Sequence, residues 1–191
     1  MFFAKPSEGS IRAFLAAQEK KGFSYEQVGA SRGEAPRGYI VDHHRTRLGS
    51  GSDAFERAAD ALRHWKMFEL PWLNLCLPTT PIEPGTTVAV LVAHFGLWSL
   101  NACRIVYAIE EHSSWERYGF ACGTLAGHAE AGQERFTVEF DHEDGSVWYD
   151  VYAFSRPNRL ARLVYPVSRA LQKRFARDSQ KAMQQAVALI R

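Results

Sequence analysis

At 191 residues, 46% hydrophobic and 23% charged, the chain has the size and composition of one globular domain, or one domain with an extension, and disorder as the main state is excluded. Net charge is only +2 but unevenly placed: 14 Lys/Arg against 20 Asp/Glu precede Ser155, and nine against one follow from it. That gradient bears on partners, not on fold. Cys76, Cys103 and Cys122 are odd in number and each sits in an apolar run. They read as free thiols in a reducing compartment, with no disulfide framework and no cysteine-based zinc site. Residues 1–10 lack a long apolar stretch, so no secretory leader or membrane anchor is expected. The longest apolar run, 87–98, is broken by His94 and shorter than the roughly 20 residues of a spanning helix. The expected location is cytoplasmic.

In chain order, residues 10–21 read as a short helix capped by Ser10 and stopped by Gly22. Residues 23–37, with Gly29, Gly33 and Pro36, read as an irregular connection. Residues 39–48 alternate as a strand, with Asp42 and His44 on one face and His43 and Arg45 on the other. The run 49–52 breaks that strand, and Ser52 is expected to cap an amphipathic helix carrying Phe55, Ala58, Ala59, Leu62 and Trp65. After Pro71 come six short runs, 72–77, 86–95, 102–111, 117–125, 134–141 and 147–155, separated by turn residues such as Asp144-Gly145. These predict an antiparallel meander. Beyond Pro157 a helical stripe of Leu160, Val164, Val167, Leu171, Phe175, Ala182, Ala186 and Ile190 predicts a long final helix, with a kink at Pro166.

Strand, helix, meander, long helix is the order of an α+β helix-grip fold, here over residues 39–191, with 1–38 as a helical extension and connection. An antiparallel sheet with one apolar face must bury it, and the last helix is the element long enough to do so. A strongly curved sheet covered by one helix encloses a cavity.

The segments GYIVDHHRTRLGSG, HWKMF, FGLWSLNACRIVY, YGFACGTLAGHAEAGQERF, VWYDVYAFSRP and RALQKRFARDS, with the opening KPSEGSIRAFLAAQ, resemble the DUF1990 (UPF0548) family of uncharacterised proteins. The resemblance spans nearly the whole chain. More distantly, the order of elements is similar to START/Bet v 1-like (SRPBCC) ligand-binding proteins, which implies a cavity but not its occupant.

The segment 123–135 concentrates His128, Glu130, Glu134 and Arg135 between two strands. His128 with Glu130 or Glu134 is the candidate acid/base set, against the plainer reading of a glycine-shaped hairpin with locally satisfied charges. The H-x-E of His128-Ala129-Glu130 lacks the P-C-x-x-C partner of zinc deaminases, so no metal is assigned. Adjacent His43 and His44 on a strand cannot face one ion, though one of them with Asp42 can join a polar pocket cluster. Gly49-Ser50-Gly51 lacks the remainder of a phosphate-binding motif, so no cofactor is assigned either. Residues 95–101 read as a connection with an apolar tip at Trp98.

The leading expectation is a cavity for a small hydrophobic or amphipathic molecule. It is lined by Phe95, Tyr107, Phe120, Phe136, Trp148, Tyr152 and Phe154, with Arg104, His128 and Glu134 as polar anchors. An acid/base enzyme of cyclase or hydrolase type in the same cavity is the alternative. Arg169, Lys173, Arg177 and Lys181 fall at four-residue spacing and suggest a basic helical face for an anionic membrane surface, against the plainer reading of a solvated face. No recognition motif accompanies that charge, so nucleic acid is set aside.

Overall fold

The structure is a computed structural model that describes residues 2–128, 130–157 and 165–188. Its elements are α1 (Glu8–Glu19), β1 (Ile40–Ser50), α2 (Ser52–Arg63), β2 (Leu73–Cys76), β3 (Thr87–His94), β4 (Leu97–Glu111), β5 (Trp115–Thr124), β6 (Glu130–Asp141), β7 (Ser146–Pro157) and α3 (Tyr165–Ala188). The strands form one curled antiparallel sheet in the order β1-β7-β6-β5-β4-β3-β2. All but the link from β1 to the far edge are neighbours in sequence, and α2 occupies that one long crossing.

The element order expected from the sequence is present, with local corrections. Ser7, not Ser10, caps α1, its hydroxyl accepting from Ser10 N at 3.2 Å. Gly51 at φ 83° holds the cap position of α2, and Ser52 is already helical. The expected connection 95–101 contracts to Phe95-Gly96, both at positive φ (51° and 73°), so Trp98 and Asn101 lie within β4. Two successive left-handed residues are what a two-residue hairpin needs, but phenylalanine is not a residue that announces them. The expected link 123–135 likewise contracts, because β6 already begins at Glu130. Pro166 stands in the first turn of α3, where a missing N–H costs nothing, and is not an interior kink. Leu160, Val164 and Ile190 of the expected stripe lie outside the described residues.

Strand alternation divides the sheet into two faces. The concave face carries Phe120 on β5, Phe136, Val138 and Phe140 on β6, and Val147, Tyr149 and Val151 on β7, all in one core with α2, Trp65, Phe68, Met183 and Val187. Phe120 and Phe136 are 0% exposed. Their rings stand 5.3 Å apart, with Trp65 4.9 Å from Phe120, and Phe68 and Phe175 at 5.6 and 6.2 Å from Phe136. Such offset and edge-on pairs suit the ring quadrupole.

The convex face is covered at two places. On β3 and β4, α1 packs Ile11, Phe14 and Leu15 against Leu91, Trp98 and Leu100. The connection after α1 straps β5 to β7: Tyr25 Oη donates to Gln133 Oε1 at 2.8 Å, Gly29 N donates to the same oxygen, and Arg135 donates to the Ser31 carbonyl at 2.9 Å. Gly123 makes this possible, since a Cβ there would lie 2.2 Å from Tyr25 Oη.

Phe136 is the hub of the closed core. Phe136→Ala is expected to lower unfolding free energy by about 3–5 kcal/mol in urea titration. A loss under about 1 kcal/mol would mean that this part of the interior is not close-packed.

Candidate functional site

The alternation that buries Phe136, Val138 and Phe140 carries Glu130, Gly132 and Glu134 onto the same concave face, farther along β6. Strand register sets Glu134 in a row with Cys122 on β5, Ala153 on β7 and Asp42 on β1. The next row pairs Gly132 with Ser155. One half of the concave face is therefore filled by large apolar side chains, and the other by small residues and carboxyls.

The first half of α3 lies over that second half and answers most of its charge. Arg169 donates to both oxygens of Asp42, Nη2 reaching Oδ1 at 2.6 Å, and also to Gln172 Oε1 at 3.1 Å. Gln172 Nε2 in turn donates to the Glu130 carboxyl and to Ser155 Oγ, the latter at 3.2 Å. A forked guanidinium-carboxylate pair is among the stronger polar contacts, and here it latches helix to sheet edge. Burial holds the Glu130 carboxyl above its ordinary range, opposed by the Ser155 hydrogen bond and the Arg169 charge.

Glu134 has no such answer. It makes no hydrogen bond or ion pair among the described residues, although it lies deep beneath α3, and it still keeps accessible surface. So does Ala153 beside it, on an interior strand of the sheet. Residual accessible surface on both side chains marks this part of the interior as less completely filled than the aromatic half. Burial, then the charges of Glu130 and Asp42, push the Glu134 carboxyl up to about 8. Its neighbour Cys122 has a thiol raised by contact with the Cys103 thiol and by burial. The three cysteines are free. Farther down, Tyr149 Oη is buried without a hydrogen-bond partner of good geometry, and the Ser179 hydroxyl donates instead to the Ala176 carbonyl at 3.1 Å.

His128 belongs to the turn before β6. Its Nδ1 accepts from Glu130 N at 3.1 Å, and burial lowers its pKa to about 4, so the ring is neutral. The structure brings Glu130 and Glu134 onto one face, while the His128 contact is to the main chain of Glu130, not its carboxyl.

Four of the expected ligand contacts lie on the convex face, opposite α3. Arg104 donates to the Gln18 and Glu19 carbonyls at 3.2 and 2.9 Å, capping the end of α1. Tyr107 Oη is 2.6 Å from Ser31 Oγ beneath the strap. Trp148 lies under the Arg45 guanidinium at 4.6 Å, and Tyr152 under that of Arg135 at 5.2 Å. Phe154 packs with Tyr25 and Tyr39 on that side, and Phe95 is 82% exposed at its turn. For Trp148, Tyr152 and Phe154 the cause is register: on β7 the odd positions Tyr149 and Val151 face inward, so the even ones cannot. Phe120 does face inward, but in the closed core.

The basic stripe is also divided. Arg169 turns inward to Asp42, whereas Lys173, Arg177 and Lys181 remain exposed, Arg177 beside Asp178 at 3.1 Å. Sequence reading named Asp42 but missed Gln172 and the inward role of Arg169. Their spacing continues Ala176, Ser179, Met183 and Val187 backward along one face, which was the available signal. Two open grooves, of about 650 Å³ beside α1 and about 510 Å³ beside Pro71, lie outside the carboxyl cluster.

Against known proteins, residues 24–182 match the family described as "Domain of unknown function (DUF1990)". A UPF0548 protein of Dictyostelium discoideum is 32% identical, covering 97% of this chain and 94% of its own. One of Deinococcus radiodurans is 37% identical, over 93% and 94%. Among solved structures, Ara h 8.0201 superposes with TM-score 0.51 at 14% identity, over 78% of this chain and 98% of its own. A norcoclaurine synthase mutant of Thalictrum flavum, in complex with a transition state analogue, gives 0.50 at 13%, over 80% and 98%. These likenesses concern the fold, which is the START/Bet v 1-like helix grip. The chain belongs to the DUF1990 (UPF0548) family.

Proposed function

We propose that this protein binds a small amphipathic molecule beneath the first half of α3, with the polar part of the ligand against Glu134. The carrying observation is the Glu134 carboxyl itself, deep, unpartnered among the described residues and still keeping accessible surface. A buried polar group without a partner costs about 1–3 kcal/mol, and a ligand that supplies the partner recovers it. Room comes from the small Ala153, which keeps accessible surface, and the partly buried Val92, Cys103 and Leu171 offer apolar contact at the edge of the core. The norcoclaurine synthase complex supports the reading, since a protein of this fold there holds a small molecule. An acid/base enzyme is the second reading. It is favoured by the position of the Glu134 carboxyl near neutrality, where a group can both give and take a proton.

Two measurements test the site without a known ligand. Because the folded carboxyl titrates near 8 and the unfolded one near 4.5, the native state holds the extra proton between those values. Stability therefore falls as pH rises from 4.5 to 8. His128, with a native pKa near 4 against 6.5, has the opposite slope below 6.5. Between pH 6.5 and 8 the Glu134 slope stands clear of it. Glu134→Gln is expected to flatten this slope and to raise stability at pH 8.5, in urea titrations at several pH values. An unchanged slope would place the carboxyl in water.

Ala153→Leu is expected to change unfolding free energy by less than about 1 kcal/mol, since the added methylenes enter open space. A loss of about 1–3 kcal/mol would report a filled interior there and would count against the cavity.

A further inference from the structure

We propose that the polar group received beside Glu134 is the protonated amine of a primary alkyl- or arylalkylammonium. This inference rests on the ligand-binding reading above and names the class of ligand.

The first argument is charge balance. Three carboxyls converge on the site: Asp42 from β1, Glu130 and Glu134 from β6. Among the described residues Arg169 is the cation of the cluster, and its guanidinium is engaged by both oxygens of Asp42. Glu130 is held by Gln172 and Ser155, neutral groups that satisfy its oxygens without cancelling its charge. Among the described residues the field at Glu134 is thus one of excess negative charge. A carboxylate ligand would add to the repulsion and a neutral hydroxyl would leave it standing, whereas a cation removes it.

The second argument is hydrogen-bond chemistry. An ammonium has three N–H donors and no acceptor. Glu134 offers an unpartnered pair of acceptor oxygens. A quaternary ammonium would instead call for a cage of aromatic faces. The concave-face rings Phe120, Phe136 and Tyr149 are closed within the core. Ala153, the small residue that keeps accessible surface beside Glu134, leaves space for a compact head.

Binding has a proton balance that makes it measurable. The Glu134 carboxyl, raised to about 8, is mainly protonated at neutral pH. Docking of the ammonium turns it into the carboxylate, and its proton goes to solvent. Affinity then rises with pH until the carboxyl is ionised without ligand. Other titratable groups on the surrounding elements are His44 on β1, Cys103 on β4, Cys122 on β5, Tyr149 on β7 and His128 in the turn before β6. Glu134→Gln separates its contribution from theirs.

The experiment is calorimetric titration of the full chain with hexylamine, 1-hexanol and hexanoate. It is run at pH 7.0 in phosphate and in HEPES, which carries no primary amine and whose different ionisation enthalpy reports proton release. Hexylamine is expected to bind most tightly, to release up to one proton, and to tighten by about tenfold from pH 6.5 to 8.5. Glu134→Gln, checked for folding by its urea midpoint, is expected to abolish proton release and the pH dependence while 1-hexanol binding persists. Preference for 1-hexanol or hexanoate, or hexylamine binding without proton release, overturns the ammonium assignment and leaves the cavity reading standing. Binding by none of the three overturns both.

Discussion

One strand sets the character of this molecule. On β6 a period of two carries Phe136, Val138 and Phe140 into the core. The same period forces Glu130 and Glu134 onto the same face, since a regular strand cannot alternate its choice of side. The apolar core and the carboxyl cluster are therefore not separate features. The β6 register that seats the aromatic residues fixes the position of the acids, and a one-residue slip would expose the core to move them.

The helix that covers this face has to be two helices in one. Its second half meets the aromatic core through Met183 and Val187, and its first half meets carboxyls through Arg169 and Gln172. The contacts differ in kind. Apolar packing is broad and non-directional, so it tolerates small shifts. The Arg169–Asp42 fork is directional and holds α3 against β1 at one geometry. The helix is thus anchored by packing at one end and latched by a charge pair at the other, with the open space between Glu134 and Ala153 near the latch.

The fold was legible because period and punctuation were strong. Six short runs separated by turns, followed by a long helical period, admit few arrangements, and the extra strand and helix before them narrow these to a helix grip. Glu134 was legible as a candidate because it stands beside a glycine-rich turn. The face of each side chain was legible only where the strand limits were right. Tyr152, Trp148 and Phe136 are all even-numbered, but even positions face inward on β6 and outward on β7, a difference that register alone resolves. Arg104 and Tyr107 were misplaced for another reason: their partners, the end of α1 and Ser31, are distant in sequence. No local pattern encodes such pairings. Arg169 looked like a surface charge because its spacing to Lys173 and Arg177 was weighed before its spacing to Gln172 and Ala176.

The acids of the site differ in what they require of the fold, and that difference separates the latch carboxyls from Glu134. Asp42 and Glu130 are met by Arg169, Gln172 and Ser155, so their burial is compensated and closes the helix onto the sheet. Among the described residues Glu134 draws no such compensation, and its proximity to the other two makes its ionised form worse still. For stability alone, an apolar residue of similar size would serve better at this position, as replacement of uncompensated buried charge commonly does. In the proposed binding role, a ligand that enters from outside would supply the donors that Glu134 lacks among the described residues, and the surrounding negative field would then favour it.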